Sequence, residues 1–203
     1  MTRSTRHAHW FDHANGVNPT PAMRQWLTDR SSLTMKLIAG SKHFRVQRLR
    51  QERGLSLADE SAMLGLPRPV CVREREVLLR CDTRPVVFAH TIVPLNATAS
   101  DWPFFSALGE RALGTTLFGD PRVRRGTLQF ARLMPAHPLV QRAIAAVGDE
   151  GVDGPFYARR CLFRRKNGLL LVTEVFLPAI SGIGLPHRAT ENTVSLIPQE
   201  TRV

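Results

Sequence analysis

Nowhere in these 203 residues is there a run of eighteen apolar side chains, the length a membrane-crossing helix requires. The first thirty residues carry Arg3, Arg6 and three histidines but no apolar stretch of the kind an export signal uses, so a cytoplasmic protein without a membrane span is expected. Cysteine is scarce. Cys71, Cys81 and Cys161 are odd in number and include no C-x-x-C pair, which excludes a disulfide framework and a zinc knuckle and suits a reducing compartment. The chain also lacks G-x-G-x-x-G and G-x-x-x-x-G-K-[ST] loops for nucleotides, the H-E-x-x-H of zinc hydrolases and the G-x-S-x-G nucleophile elbow. Its histidines show no ligand spacing, so no metal is expected.

What is abundant is positive charge, with 28 Lys and Arg against 17 Asp and Glu, a net +11. Such an excess invites a nucleic-acid reading, which its arrangement does not favour. Basic residues are scattered in small groups such as "RVRRG" (122–126) and "RRKNG" (164–168), not concentrated on one recognition helix among exposed aromatics. No specific nucleic-acid partner is expected; a basic surface that attracts small anionic metabolites, or is simply solvated, accounts for the count. Nothing in the sequence demands a dimer, so a monomer is expected.

The 43% hydrophobic content suffices for one real core. Residues 1–19 have no sustained period and read as a loose arm, followed by a domain over 20–180 and a Ser-, Gly- and Pro-rich tail over 181–203. "TPAMRQWL" reads as a helix start with Thr20 as cap and Pro21 first in the helix; "SLADESAMLG" reads as a second, with Ser56 and Asp59 at capping-box spacing. Short helical turns are expected in "SDWPFFSAL" and "RALGTTLF", and an amphipathic helix after Pro138. Strand-like runs lie near 43–49, 70–81, 86–94, 127–134, 156–166 and 168–178. Asn167-Gly168 predicts a two-residue type I′ hairpin and "CDTRP" (81–85) a looser turn. Short turns make neighbours antiparallel. The expected class is α+β, a single domain with a roughly six-stranded antiparallel sheet and helices mainly on one face.

Three charges interrupt apolar faces. In "LLLVTEVFLP" (169–178), Glu174 shares a pleat face with Val172 and Phe176; an ionised carboxylate withdrawn from water costs several kcal/mol, on the order of the buried-ion penalty, unless paired. Arg75 begins the more apolar face of the run 73–81, and His90 sits between Phe88 and Ile92 near the same level. The predicted hairpin places Glu174 opposite Cys161 with Arg159 diagonal to it, so parity alone leaves open whether Glu174 pairs with Arg159 or waits for a ligand. For His90, a satisfied core histidine is the plainer reading, with a contact to substrate as the alternative.

"REVLL" (75–79), "AHTIVP" (89–94), "LGERALGTTLF" (108–118), "RRCLF" (159–163) and "LLVTEVFLP" (170–178), in this order, resemble the chorismate pyruvate-lyase family from about Trp26 to Pro178. The resemblance implies conversion of chorismate to 4-hydroxybenzoate and pyruvate for ubiquinone biosynthesis without metal or organic cofactor, in an antiparallel fold whose flaps enclose the ligand. It implies that Arg75 binds a substrate carboxylate and that Glu174 is the acidic site residue, as base or as partner of the ring hydroxyl. Leu113 and Leu33 fall on backbone contacts to the ligand. His90 stands where some relatives have arginine, which bears on any second cation there, and Ala112 replaces a proline. The alternative is a non-catalytic sensing domain of the same fold that binds an aromatic acid without turnover.

Overall fold

The computed structural model describes residues 8–148 and 155–184. Among them six strands, β1 (Phe44–Leu55), β2 (Cys71–Cys81), β3 (Arg84–Pro94), β4 (Val123–Leu133), β5 (Phe156–Arg165) and β6 (Gly168–Phe176), form one antiparallel sheet in the order β1-β2-β3-β6-β5-β4. Five α-helices accompany them: α1 (Pro21–Thr28), α2 (Leu33–Ala39), α3 (Ala58–Met63), α4 (Leu113–Gly119) and α5 (Pro138–Val147).

The central strands β2 and β3 are buried almost throughout because both faces are covered. Over one face lie α1 and α2, whose Trp26, Leu27, Leu33 and Leu37 pack on Val77, Leu79, Val87 and Ala89. The connection from β3 to α4 covers the same face with Trp102, Phe105 and Leu108, and α4 itself with Leu113 and Leu117. Against the other, α5 places Leu139, Val140 and Ala143 on Leu78, Phe88 and Val175, and the end of α3 brings Leu64 onto Val72 and Ile92. Three of the five helices thus cover the first face and two the second. No helix among the described residues is long and apolar enough to cross a membrane.

Local expectations hold with informative exceptions. Thr20 accepts a hydrogen bond from the Met23 amide and caps α1. In α3 the acidic capping partner is Glu60, not Asp59: it accepts from the Leu57 amide at 2.9 Å, while the Ser56 hydroxyl lies 2.8 Å from that of Ser61. The β5–β6 turn centres on Lys166-Asn167, so Arg165 pairs with Gly168 and Arg159 lies directly opposite Glu174. Only Lys166 takes positive φ there, at 52°, which is not a type I′ turn. Gly168 serves close approach instead: a Cβ would come within 2.5 Å of the Asp101 Cβ. The expected looser turn at 81–85 is tight, with Asp82 at φ 55°.

The arm expected to be loose is docked over residues 8–19. Phe11 exchanges two backbone hydrogen bonds with Phe130 of edge strand β4, both 2.8 Å, and the short 3-10 turn Ala14–Val17 buries Ala14 and Val17. Pairing there also occupies part of an exposed strand edge. Residues 181–182 finish the 3-10 turn Pro178–Gly182; residues 1–7 and 185–203 of the expected arm and tail lie outside the described residues.

Candidate active site

The first face of the sheet floors a cavity of about 660 Å³, counted out through its open mouth with the solvent there included. The side chains of β2 alternate. Arg75, Val77 and Leu79 enter the cavity, whereas Glu74 and Glu76 point to the opposite face. Val172 and Glu174 of β6, Arg159 and Phe163 of β5, and Arg125 of β4 complete much of the floor. Leu33 of α2 and Leu113 of α4 form the cover, where the two helices meet. Gly114 permits that meeting, since a Cβ there would lie 2.9 Å from the Thr34 Oγ1.

Arg75 is 2% exposed and has no carboxylate partner among the described residues. Its Nη2 donates to the carbonyls of Gly109 at 3.0 Å and Arg111 at 2.9 Å, which hold the guanidinium against the loop before α4; its Nε finds no acceptor among the described residues. Burial, with the Arg48 cation adding to it, lowers its pKa to about 10. The group is still charged at neutral pH. A buried cation held by carbonyls alone favours an anion on its free side.

Glu174 is the one carboxylate among the described lining residues. Arg159 Nε donates to its Oε2 at 2.5 Å, and Arg159 Nη1 donates to the carbonyls of Trp26, Leu27 and Asp29 at the end of α1. The two readings that parity left open coexist: Glu174 pairs with Arg159 and lines the cavity. Its side chain keeps 19% of its surface exposed, so one carboxylate can meet both.

Of the five residues singled out in the sequence, Arg75, Glu174, Leu33 and Leu113 converge on this cavity, and His90 does not. Its partner across the ladder is Glu76, while Arg75 pairs with Thr91. A register shift between Leu79 and Arg80 sets this pairing, and it sends His90 to the far face. There Nε2 lies 3.2 Å from Glu60 and Nδ1 3.3 Å from Glu76. Burial would lower the His90 pKa, but those carboxylates prevail and raise it to about 9. His90 is a core cation that stands between two carboxylates. Glu74, Glu76 and His90 bring ligand atoms within 4.8 Å of one another, yet Arg50 and Arg142 already neutralise both carboxylates. A metal ion would have to displace two arginines.

Sequence reading missed Arg125. It lies within "RVRRG", which looks like a solvated charge run, just before the irregularity that separates Arg125 from Leu128 in the pairing with β5. The available signal was its alternation with Val123, which puts every second residue of the run on one face.

A sequence model for chorismate lyase matches residues 5–182. The chain belongs to the chorismate lyase family. Two relatives, both named probable chorismate pyruvate-lyase, set the distance within it. That of Cupriavidus metallidurans is 49% identical over 195 residues, covering 94% of this chain and 86% of the relative. That of Ralstonia nicotianae is 52% identical over 159 residues, covering 77% and 82%. Among solved structures, PhnF from Mycobacterium smegmatis is similar in fold with a TM-score of 0.52 at 14% identity, over 80% of this chain and 71% of that one. Family membership and fold agree with the antiparallel α+β architecture described above.

Proposed function

We propose that the protein is a chorismate pyruvate-lyase of the cytoplasm, converting chorismate to 4-hydroxybenzoate and pyruvate at the head of ubiquinone biosynthesis. The observation that carries this reading is the buried Arg75, without a carboxylate partner among the described residues, in the same cavity as Glu174, the one carboxylate among its described lining residues. Family membership supports it.

Arg75 holds the ring carboxylate by charge-assisted hydrogen bonds and so fixes the ring. The backbone amides of Leu33 and Leu113 open α2 and α4, positions whose N–H groups have no acceptor within the helix, and they add donors beside it. Glu174, kept in place by Arg159, meets the ring hydroxyl. The ether C3–O bond breaks, the hydrogen on C4 leaves, and the C4–H electron pair completes the aromatic ring. That hydrogen ends on the methylene carbon of the side chain, which departs as pyruvate. One dianion becomes two monoanions, and no oxidant or reductant enters. The hydrogen travels directly between carbons or by way of Glu174, and on either route the protein contributes positioning and a site shielded from water.

Incubating the purified protein with chorismate should release 4-hydroxybenzoate and pyruvate in equal amounts. No product at any pH near neutrality would sink the lyase reading, and tight 4-hydroxybenzoate binding without turnover would favour a sensing domain instead.

A further inference from the structure

The cavity holds one more cation than the ring carboxylate needs. Three guanidinium groups and one carboxylate line it among the described residues. Arg159 and Glu174 neutralise each other, which leaves Arg75 and Arg125. Arg125 has no carboxylate partner among the described residues. Its Nη1 donates to the Arg30 carbonyl, and its Nε is shielded from solvent without an acceptor among the described residues. Phe118 and Phe163 flank the guanidinium, with centroids 5.2 and 6.0 Å from Cζ. Such aromatic contacts hold a cation in place without cancelling its charge.

Position in the sheet separates the two cations. Arg75 projects from β2 and Arg125 from β4, on opposite sides of β6, which carries Glu174. Four strand spacings of about 4.8 Å lie between their backbones, so the two side chains enter the cavity from opposite sides. A ligand between them meets a cation at each end and a carboxylate in the middle. Chorismate has the complementary pattern: a ring carboxylate, a hydroxyl, and a second carboxylate on the three-carbon side chain.

Resting on the lyase reading, we infer that Arg125 binds the side-chain carboxylate, the one that leaves with pyruvate. Arg75 then holds the carboxylate that stays on the ring. The division has a consequence that a general role in shaping the cavity lacks: loss of Arg125 weakens substrate but not aromatic product.

The test compares the parent protein with Arg125→Met and Arg125→Lys. Turnover of chorismate is measured, together with calorimetric binding of 4-hydroxybenzoate, a monocarboxylate, and of 3-(carboxymethoxy)benzoate, a stable dicarboxylate. Arg125→Met should lower kcat/KM and weaken the dicarboxylate by about 10- to 100-fold, the range of a hydrogen bond to a charged group. It should leave 4-hydroxybenzoate binding within about twofold, which also shows that the variant is folded. Arg125→Lys should recover part of the loss. Equal weakening of both ligands, or no weakening of either, overturns the assignment. If the parent does not turn over chorismate and the mono- and dicarboxylate still separate, the lyase reading fails while Arg125 remains the second anion-binding group.

Discussion

The two faces of the sheet each bury charge, and they do so to opposite effect. On the far face Glu60, Glu74 and Glu76 meet His90, Arg50 and Arg142 in a network where each carboxylate has a cationic partner. On the cavity face Arg159 and Glu174 close one pair, and Arg75 and Arg125 stand without a carboxylate among the described residues. Burial alone therefore does not mark a site. Both faces present buried ionisable groups on apolar strands, but only one has charge left to offer a ligand.

Removing charge from each face in turn is the way to break this contrast. The largest effect is expected from Arg75→Met. Two charge-assisted hydrogen bonds at about 1.5–3 kcal/mol each correspond to a fall of roughly 10² to 10⁴ in kcat/KM for chorismate. A thermal melt on the same sample should show the variant folded, and near-parental turnover would remove Arg75 from the site.

The far face answers in stability and pH instead. His90 is held at about 9 against an ordinary 6.5, and because its folded value is raised, its contribution is complete below about 6.5 and lost as pH rises through 9. The shift corresponds to a contribution on the order of 3 kcal/mol. Glu76 shifts the other way: burial opposes its ionisation, but His90 and Arg142 hold it at about 2, so its contribution is present above 4.5 and fades as pH falls toward 2. Urea melts across pH should give a plateau between these limbs. Glu60→Gln should flatten the alkaline limb, and an unchanged limb would show that the Glu60–His90 pair does not set it.

A smaller effect is expected from Glu174→Gln, which keeps the shape but removes the charge. If Glu174 only binds the ring hydroxyl, kcat/KM should fall about tenfold to a hundredfold; if it also carries the C4 proton, the loss should reach about 10³. A primary isotope effect with C4-deuterated chorismate, in parent and variant, separates the two. The smallest effect should follow Lys166→Gly at the β5–β6 turn, where a side chain occupies φ 52°. Glycine relieves the left-handed strain and raises stability by about 0.5–1 kcal/mol without touching activity, which an unfolding curve checks.

Much of this was legible in the sequence, for reasons that individual residues show. The six strands were visible because their runs are apolar on one or both faces, and Arg75 and Glu174 stood out because each interrupts such a face. The helix α2 was not read because its seven residues, capped by Ser32, offer neither length nor a proline to announce it. The hairpin register was off by two residues because Asn167-Gly168 is a strong turn signal, while the glycine here answers to the crowding of Asp101. That error kept parity, so Glu174 was still assigned to the right face. For His90, one irregularity between Leu79 and Arg80 decided the face, and irregularities leave little trace in residue pattern. Arg125 looked like surface because its neighbours Arg122 and Arg124 are exposed.

The contact between α2 and α4 at Gly114 gives the cavity a roof whose fit depends on a missing methyl group. Even a methyl group at that position would press on the Thr34 and Ser32 hydroxyls and act as a wedge between the two short helices. A roof that fits less closely admits water, and a charge that is solvated has less reason to grip an anion. The grip of the chamber thus depends in part on its roof, in a residue that contributes no functional group at all.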